Sequence, residues 1–152
     1  MTPTIKFKRL HPNAVIPEYK TAGDSGLDLH WCGRTGQSKR EWTTLTYSMN
    51  SGAFILWTGL SIEIPDGYEA QIRPRSSMSK RGVHCHLGTI DNGYRGDLGV
   101  CLQYLGTETF SFSRGDRIAQ LVIAPVARCQ IEVVETLSET ERGAGGFGST
   151  GK

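Results

Sequence analysis

No stretch of the chain is apolar for long enough to cross a bilayer, and no signal-peptide-like run stands near Met1, so an intracellular, cytoplasmic protein is expected. Dense runs of Lys or Arg are missing as well. A net charge of +2 describes an ordinary soluble surface and gives no reason to expect stable nucleic-acid or membrane binding. Cysteine is scarce: the four present, Cys32, Cys85, Cys101 and Cys129, lie far apart with no C-x-x-C pair. That spacing argues against a disulfide framework and predicts buried free thiols. His84-Cys85-His86 is the only cluster with metal-like chemistry. Neighbours on a strand point to opposite faces, so the better reading is a strand with one buried face. A sustained 3.6-residue apolar period is absent too, which turns attention to strands.

Strand alternation is what the chain has instead. Ile5 and Phe7 alternate with Lys6 and Lys8, and Leu60, Ile62 and Ile64 with Ser61 and Glu63. Pro65-Asp66-Gly67 supplies a turn before Tyr68, Ala70 and Ile72 resume the pattern, so residues 60–72 read as a hairpin. Further strands are expected at 100–105, 109–113, 118–124 and 131–134. One short helix is expected from Pro74 to Gly82, with a serine cap at its start and glycine at its stop. The polar segment 33–51 reads as a long loop or an extra hairpin. Residues 1–141 form one all-β domain of barrel or sandwich type, and the glycine-rich tail 142–152 has no core of its own.

Nineteen glycines in 152 residues call for turns or for backbone that approaches a ligand. Arg75-Ser76-Ser77 opens the expected helix and offers N–H groups, hydroxyls and a guanidinium to an anion, although a capped helix with a surface arginine would read the same. In Arg142-Gly143-Ala144-Gly145-Gly146-Phe147-Gly148-Ser149-Thr150-Gly151, glycines let backbone N–H groups curl around an anion. Phe147 there suits stacking on a planar ligand better than it suits an inert tail. Arg114-Gly115-Asp116-Arg117 reads as a scaffold turn in which Asp116 pairs with a neighbouring arginine, and Gln120 is the position that reaches a ligand. Asn92-Gly93 signals a hairpin with Asp91 and Tyr94 at its mouth.

In this order the segments resemble the five motifs of the trimeric dUTPase family: Ala22–Leu29, Pro74–Ser77, Gly88–Gly96, Gly115–Leu121 and Arg142–Gly151. The resemblance runs from about residue 5 to the C-terminus. It implies a distorted jelly-roll homotrimer that hydrolyses dUTP to dUMP and pyrophosphate, limiting uracil incorporation into DNA and supplying dUMP for thymidylate synthesis. Asp91 would be the general base. Arg75, Ser76, Ser77 and Gln120 would hold the phosphates, Tyr94 would crowd out a ribose 2′-hydroxyl, and Thr89 and Ile90 would read uracil through their backbone. Arg142, Phe147, Gly148, Ser149 and Thr150 would close over the substrate. Mg²⁺ would ride on the triphosphate without a direct protein ligand, with Asp28 one step removed. Ser77 stands where the family's second motif usually has glycine, and Gly93 where many members have a second aspartate. A phage or viral variant would work in the host cytoplasm.

Two rivals remain in view. dCTP deaminases resemble dUTPases, but they use a glutamate on the strand after the third motif, and Gly99–Gln103 has none. A regulatory protein that keeps the site as a switch would meet its partner through 33–51.

Overall fold

The computed structural model describes residues 2–48 and 51–146. Short strands dominate: β1 (Lys6–Arg9), β2 (Gly26–His30), β3 (Arg34–Thr35), β4 (Thr44–Tyr47), β5 (Phe54–Trp57), β6 (Leu60–Glu63) and β7 (Tyr68–Arg73). After α1 (Ser76–Lys80), the one helix among the described residues, come β8 (Val83–Cys85), β9 (Gly88–Ile90), β10 (Gly99–Tyr104), β11 (Phe110–Ser113) and β12 (Arg117–Pro125). The all-β class with one short helix is as expected. Among the described residues the ladders form four separate antiparallel sheets rather than one closed barrel: β1-β6, β3-β5-β10-β8, β11-β4 and β2-β12-β7-β9. No helix among them is long and apolar enough to cross a membrane.

Alternation decides which face of each strand is buried. Val100, Leu102 and Tyr104 of β10, Leu27 and Leu29 of β2, and Phe110 and Phe112 of β11 all enter one core around the fully buried Trp31. Each such side chain contributes about 1.5–3 kcal/mol on burial. The Trp31 Nε1–H is not orphaned by this, because it donates to the Arg34 carbonyl at 2.8 Å.

Pairing partners differ from the sequence reading in three places. Residues 60–72 keep their turn, with Tyr68 N–H donating to Pro65 O at 3.2 Å, but they are not a hairpin. β6 pairs with β1, while β7 lies between β12 and β9. Alternation fixes a buried face and leaves the edge open, and β12 pairs β7 along its whole length, from Tyr68 opposite Pro125 to Arg73 opposite Gln120. Segment 33–51 is likewise no separate hairpin. β3 pairs with β5 and β4 with β11, and Tyr47 stacks on Phe54 at 3.7 Å, so aromatic packing ties the segment into the scaffold. The expected strand at 131–134 is not formed. Ile131 and Val133 are 94% and 95% exposed, and the segment pairs with no strand among the described residues.

Three smaller expectations also change. Arg75, not a serine, is the helix N-cap, and no side chain caps it. Ser76 and Ser77 already lie inside the first turn, so their hydroxyls stay outward. Asp116 pairs with neither neighbouring arginine; its carboxylate accepts Ser113 N–H at 2.8 Å and closes the turn before β12. All four cysteines are free, yet only Cys32 and Cys85 are buried, with Cys101 half-buried and Cys129 exposed. Burial, with Cys101 nearby, pushes the Cys85 thiol up to about 11, which makes it an inert core group.

Gly59 gives a sharp test of packing between the first segment and the core. Its φ is +70°, and a Cβ there would stand 2.6 Å from the His11 Cβ. Gly59→Ala should lower unfolding free energy by about 3 kcal/mol, combining left-handed strain with overpacking. Urea unfolding measures this, and an unchanged midpoint would mean that the His11 segment yields freely.

Candidate active site

Motif residues from two strands and the helix meet at one cleft of about 340 Å³, lined by Asp28, Arg75, Ser76, Ser77, Arg117 and Gln120, with Lys20 and Asp24 at its side. Pro74 ends β7, so Arg75 and the two serines start α1 at the strand's end. Gln120 on β12 donates from Nε2 to the Pro74 carbonyl at 2.8 Å and thereby pins that turn. Asp28 on β2 is 13% exposed and binds two guanidiniums, Arg75 Nε at 2.8 Å and Arg117 Nη1 at 3.1 Å. The carboxylate holds both arginines in fixed orientation at the cleft wall.

Arg117 is the residue the sequence reading left out of the site. On a regular strand, positions 117 and 120 face opposite ways. A bulge between Arg117 and Ala119 breaks that parity: Arg117 stands opposite His30, Gln120 opposite Asp28, and His30 and Asp28 share a face of β2. Two successive apolar residues, Ile118 and Ala119, which the structure buries together, were the available sign. His30 lies beside this wall, where burial pulls its imidazole below the ordinary range although Asp28 opposes the shift. Its Nδ1 is buried with no hydrogen-bond partner among the described residues.

A second group forms around the end of β9. Tyr94 N–H donates to Asp91 O at 3.0 Å, closing a turn over Asn92-Gly93. The turn is real but the expected hairpin is not, since β9 pairs with β7 while the next strand, β10, pairs with β5 and β8. Asp91 is exposed and lines a cleft of about 160 Å³ with Glu69, Asn92 and Arg128. Tyr94, 42% exposed, donates from Oη to the Asp97 carbonyl at 2.8 Å. Thr89 is exposed on the sheet-edge strand β9, and Ile90 is half-buried against the core. Gly88 and Thr89 border a third cleft of about 380 Å³ with Leu87.

On one chain the two groups do not meet. Ile90 stands opposite Ala70, so Asp91 follows on at the Glu69 end of β7, whereas Arg75 lies beyond the other end. The run from Glu69 to Arg75, at about 3.4 Å per residue, spans roughly 20 Å, too far for Asp91 and Ser76 to serve one phosphate. Arg142 lies in an exposed turn, its Nε donating to Gly145 O at 2.8 Å. Phe147, Gly148, Ser149 and Thr150 fall outside the described residues. Among the described residues no three His, Cys, Asp or Glu side chains gather as a metal-holding group.

Known proteins resemble the chain over nearly its whole length. The dUTPase family profile matches residues 12–151. A deoxyuridine 5'-triphosphate nucleotidohydrolase of Crocosphaera subtropica is 47% identical over 151 residues, covering 97% of this chain and 98% of the relative. One from Beijerinckia indica is 46% identical over 154 residues, covering 98% and 92%. The solved Staphylococcus bacteriophage 80alpha dUTPase with dUPNHPP superposes with a TM-score of 0.84 at 27% identity, covering 99% of this chain and all (100%) of that one. The chain belongs to the dUTPase family, enzymes that hydrolyse dUTP to dUMP and pyrophosphate.

Proposed function

We propose that dUTP hydrolysis here runs at composite sites of a homotrimer, where the Arg75–Gln120 cleft of one chain faces the Asp91 turn of another. The separation of Asp91 from Arg75 along β7 supports this reading most directly. The exposed, alternating apolar residues Ile131 and Val133 support it further, since such an arm gains stability only against another chain's surface. Tail residues 142–152 would then travel with that arm and close the site, with Phe147 stacking on the base and Arg142, Gly148, Ser149 and Thr150 meeting the γ-phosphate.

In this arrangement Asp91 takes the proton of a water that attacks the α-phosphorus in line. A new P–O bond forms as the bond between the α-phosphorus and the bridging oxygen breaks, and pyrophosphate leaves with the electron pair. Arg75 and the outward hydroxyls of Ser76 and Ser77 hold the phosphates. Gln120, with one N–H already on Pro74, positions that turn and offers its remaining donor. Thr89 and Ile90 present backbone on an open sheet edge to uracil, and Tyr94 faces the deoxyribose.

The cleft's charges fit a metal carried by substrate. Lys20, Arg75 and Arg117 outnumber Asp24 and Asp28 by one, far less than a triphosphate's negative charge. Both Asp28 oxygens already bind arginines, so Asp28 acts on a bound Mg²⁺ only at second remove. When bound, Mg²⁺ neutralises phosphate charge and polarises the reacting phosphorus. Pyrophosphate release measured side by side with dUTP, UTP, dTTP and dCTP in the presence of Mg²⁺ tests the whole reading. Turnover should be confined to dUTP, and comparable rates with UTP or dTTP would overturn the assigned base and sugar contacts.

A second, compatible reading is a regulatory protein partner. The bacteriophage 80alpha dUTPase is described as controlling transfer of virulence genes by a proto-oncogenic G protein-like mechanism. In this chain such a partner would meet the exposed tip Gln37–Glu41, because β3 and β4 on either side belong to the scaffold.

A further inference from the structure

The loop carrying Tyr94 is strapped to the start of β6. Thr58 N–H donates to Leu98 O at 3.0 Å, and Leu98 N–H to Leu60 O at 2.8 Å. The Ser61 hydroxyl donates to Arg95 O at 2.7 Å. At the centre lies Asp97, whose carboxylate is 13% exposed. Its Oδ1 accepts Gly59 N–H at 2.9 Å, and its Oδ2 accepts Arg34 Nη1 at 3.1 Å across from β3. The same residue's carbonyl receives the Tyr94 hydroxyl at 2.8 Å. Gly96 leaves no slack beneath the ring, since a Cβ there would come within 2.3 Å of Tyr94 Oη.

Stability alone does not explain a carboxylate at this position. Burial pushes Asp97 above the usual carboxylate range even though Arg34 and the Gly59 and Leu60 N–H groups oppose the shift. A partly buried ion pair such as this is weak as a source of stability, but it fixes one geometry. Here that geometry is the orientation of the peptide whose carbonyl holds the tyrosine hydroxyl.

We propose that Arg34 and Asp97 are positioning residues for sugar discrimination: their ion pair sets the Asp97 carbonyl, and that carbonyl fixes the Tyr94 ring where a ribose 2′-hydroxyl would stand. The proposal rests on Tyr94 facing the deoxyribose. A ring released from its tether tilts and admits the extra hydroxyl, so the effect falls on UTP rather than on the chemical step.

The test compares kcat/KM for dUTP with that for UTP in the full-length protein. Arg34→Gln and Asp97→Asn should each lower the dUTP/UTP ratio by about tenfold, the scale of one lost hydrogen bond. The change should come through a lower KM for UTP, with kcat for dUTP altered much less. Tyr94→Phe, which removes only the tethering hydroxyl, should lower the ratio similarly and keeps the test open if a charge variant folds poorly. Arg34→Lys should restore most of the ratio, since one N–H contact needs only a point charge. Wild-type ratios in the Arg34 and Asp97 variants, alongside a collapsed ratio in Tyr94→Ala, would overturn the tether and leave the Tyr94 reading standing. A wild-type ratio in Tyr94→Ala would overturn both.

Discussion

Asp91→Asn should lower kcat for dUTP by two to four orders of magnitude, about the contribution of a positioned general base. The affinity for dUTP and the melting temperature should stay close to wild type. The structure makes this a clean substitution. Among the described residues the Asp91 carboxylate makes no hydrogen bond or ion pair, and the turn it begins is held through backbone, Tyr94 N–H to Asp91 O. Asparagine keeps the size and the turn, and it removes only the capacity to take a proton. Single-turnover quench experiments, with binding followed by calorimetry, separate the two quantities. Turnover at the wild-type rate would remove Asp91 as the base, and a loss of affinity without loss of rate would recast it as a binding residue.

Much of the proposed site rests on residues that stand together in the sequence. Arg75, Ser76 and Ser77 are consecutive, and Asp91 and Tyr94 flank one turn, so their neighbourhoods survive any error in strand pairing. Pairing itself was harder to read. Alternation in 60–72 gave the apolar face of each strand, although Ser61 on the other face of β6 is buried too, and β6 and β7 pair with β1, β12 and β9 rather than with each other. The Asn92-Gly93 signal likewise produced a turn between strands of different sheets. Arg117 was hidden for another reason: a one-residue bulge reversed the facing that its spacing from Gln120 implied. Residues 131–134 show the limit of single-chain reasoning. Their alternation is that of a strand, yet among the described residues they pair with no other strand.

That unpaired segment, and the distance between Asp91 and Arg75, lead to the last expected result. Two inactive variants, Asp91→Asn and Arg75→Ala, should regain activity when unfolded together and refolded as mixed trimers. Arg75→Ala is tolerable because Asp28 keeps Arg117 as a partner and is not left as an unpaired buried charge. If each site takes Asp91 from one chain and Arg75 from another, random mixing in equal amounts leaves about one quarter of sites with both groups intact. If one chain supplied both, every chain would carry a lesion and no mixture would work. The measurement is pyrophosphate release after co-refolding, with each variant refolded alone as the baseline. Recovery near one quarter of wild-type activity supports the composite site. Recovery no higher than the baselines, from trimers shown to be mixed, would place Asp91 and Arg75 in the same chain's site, which the span of β7 does not allow without rearrangement of the sheet.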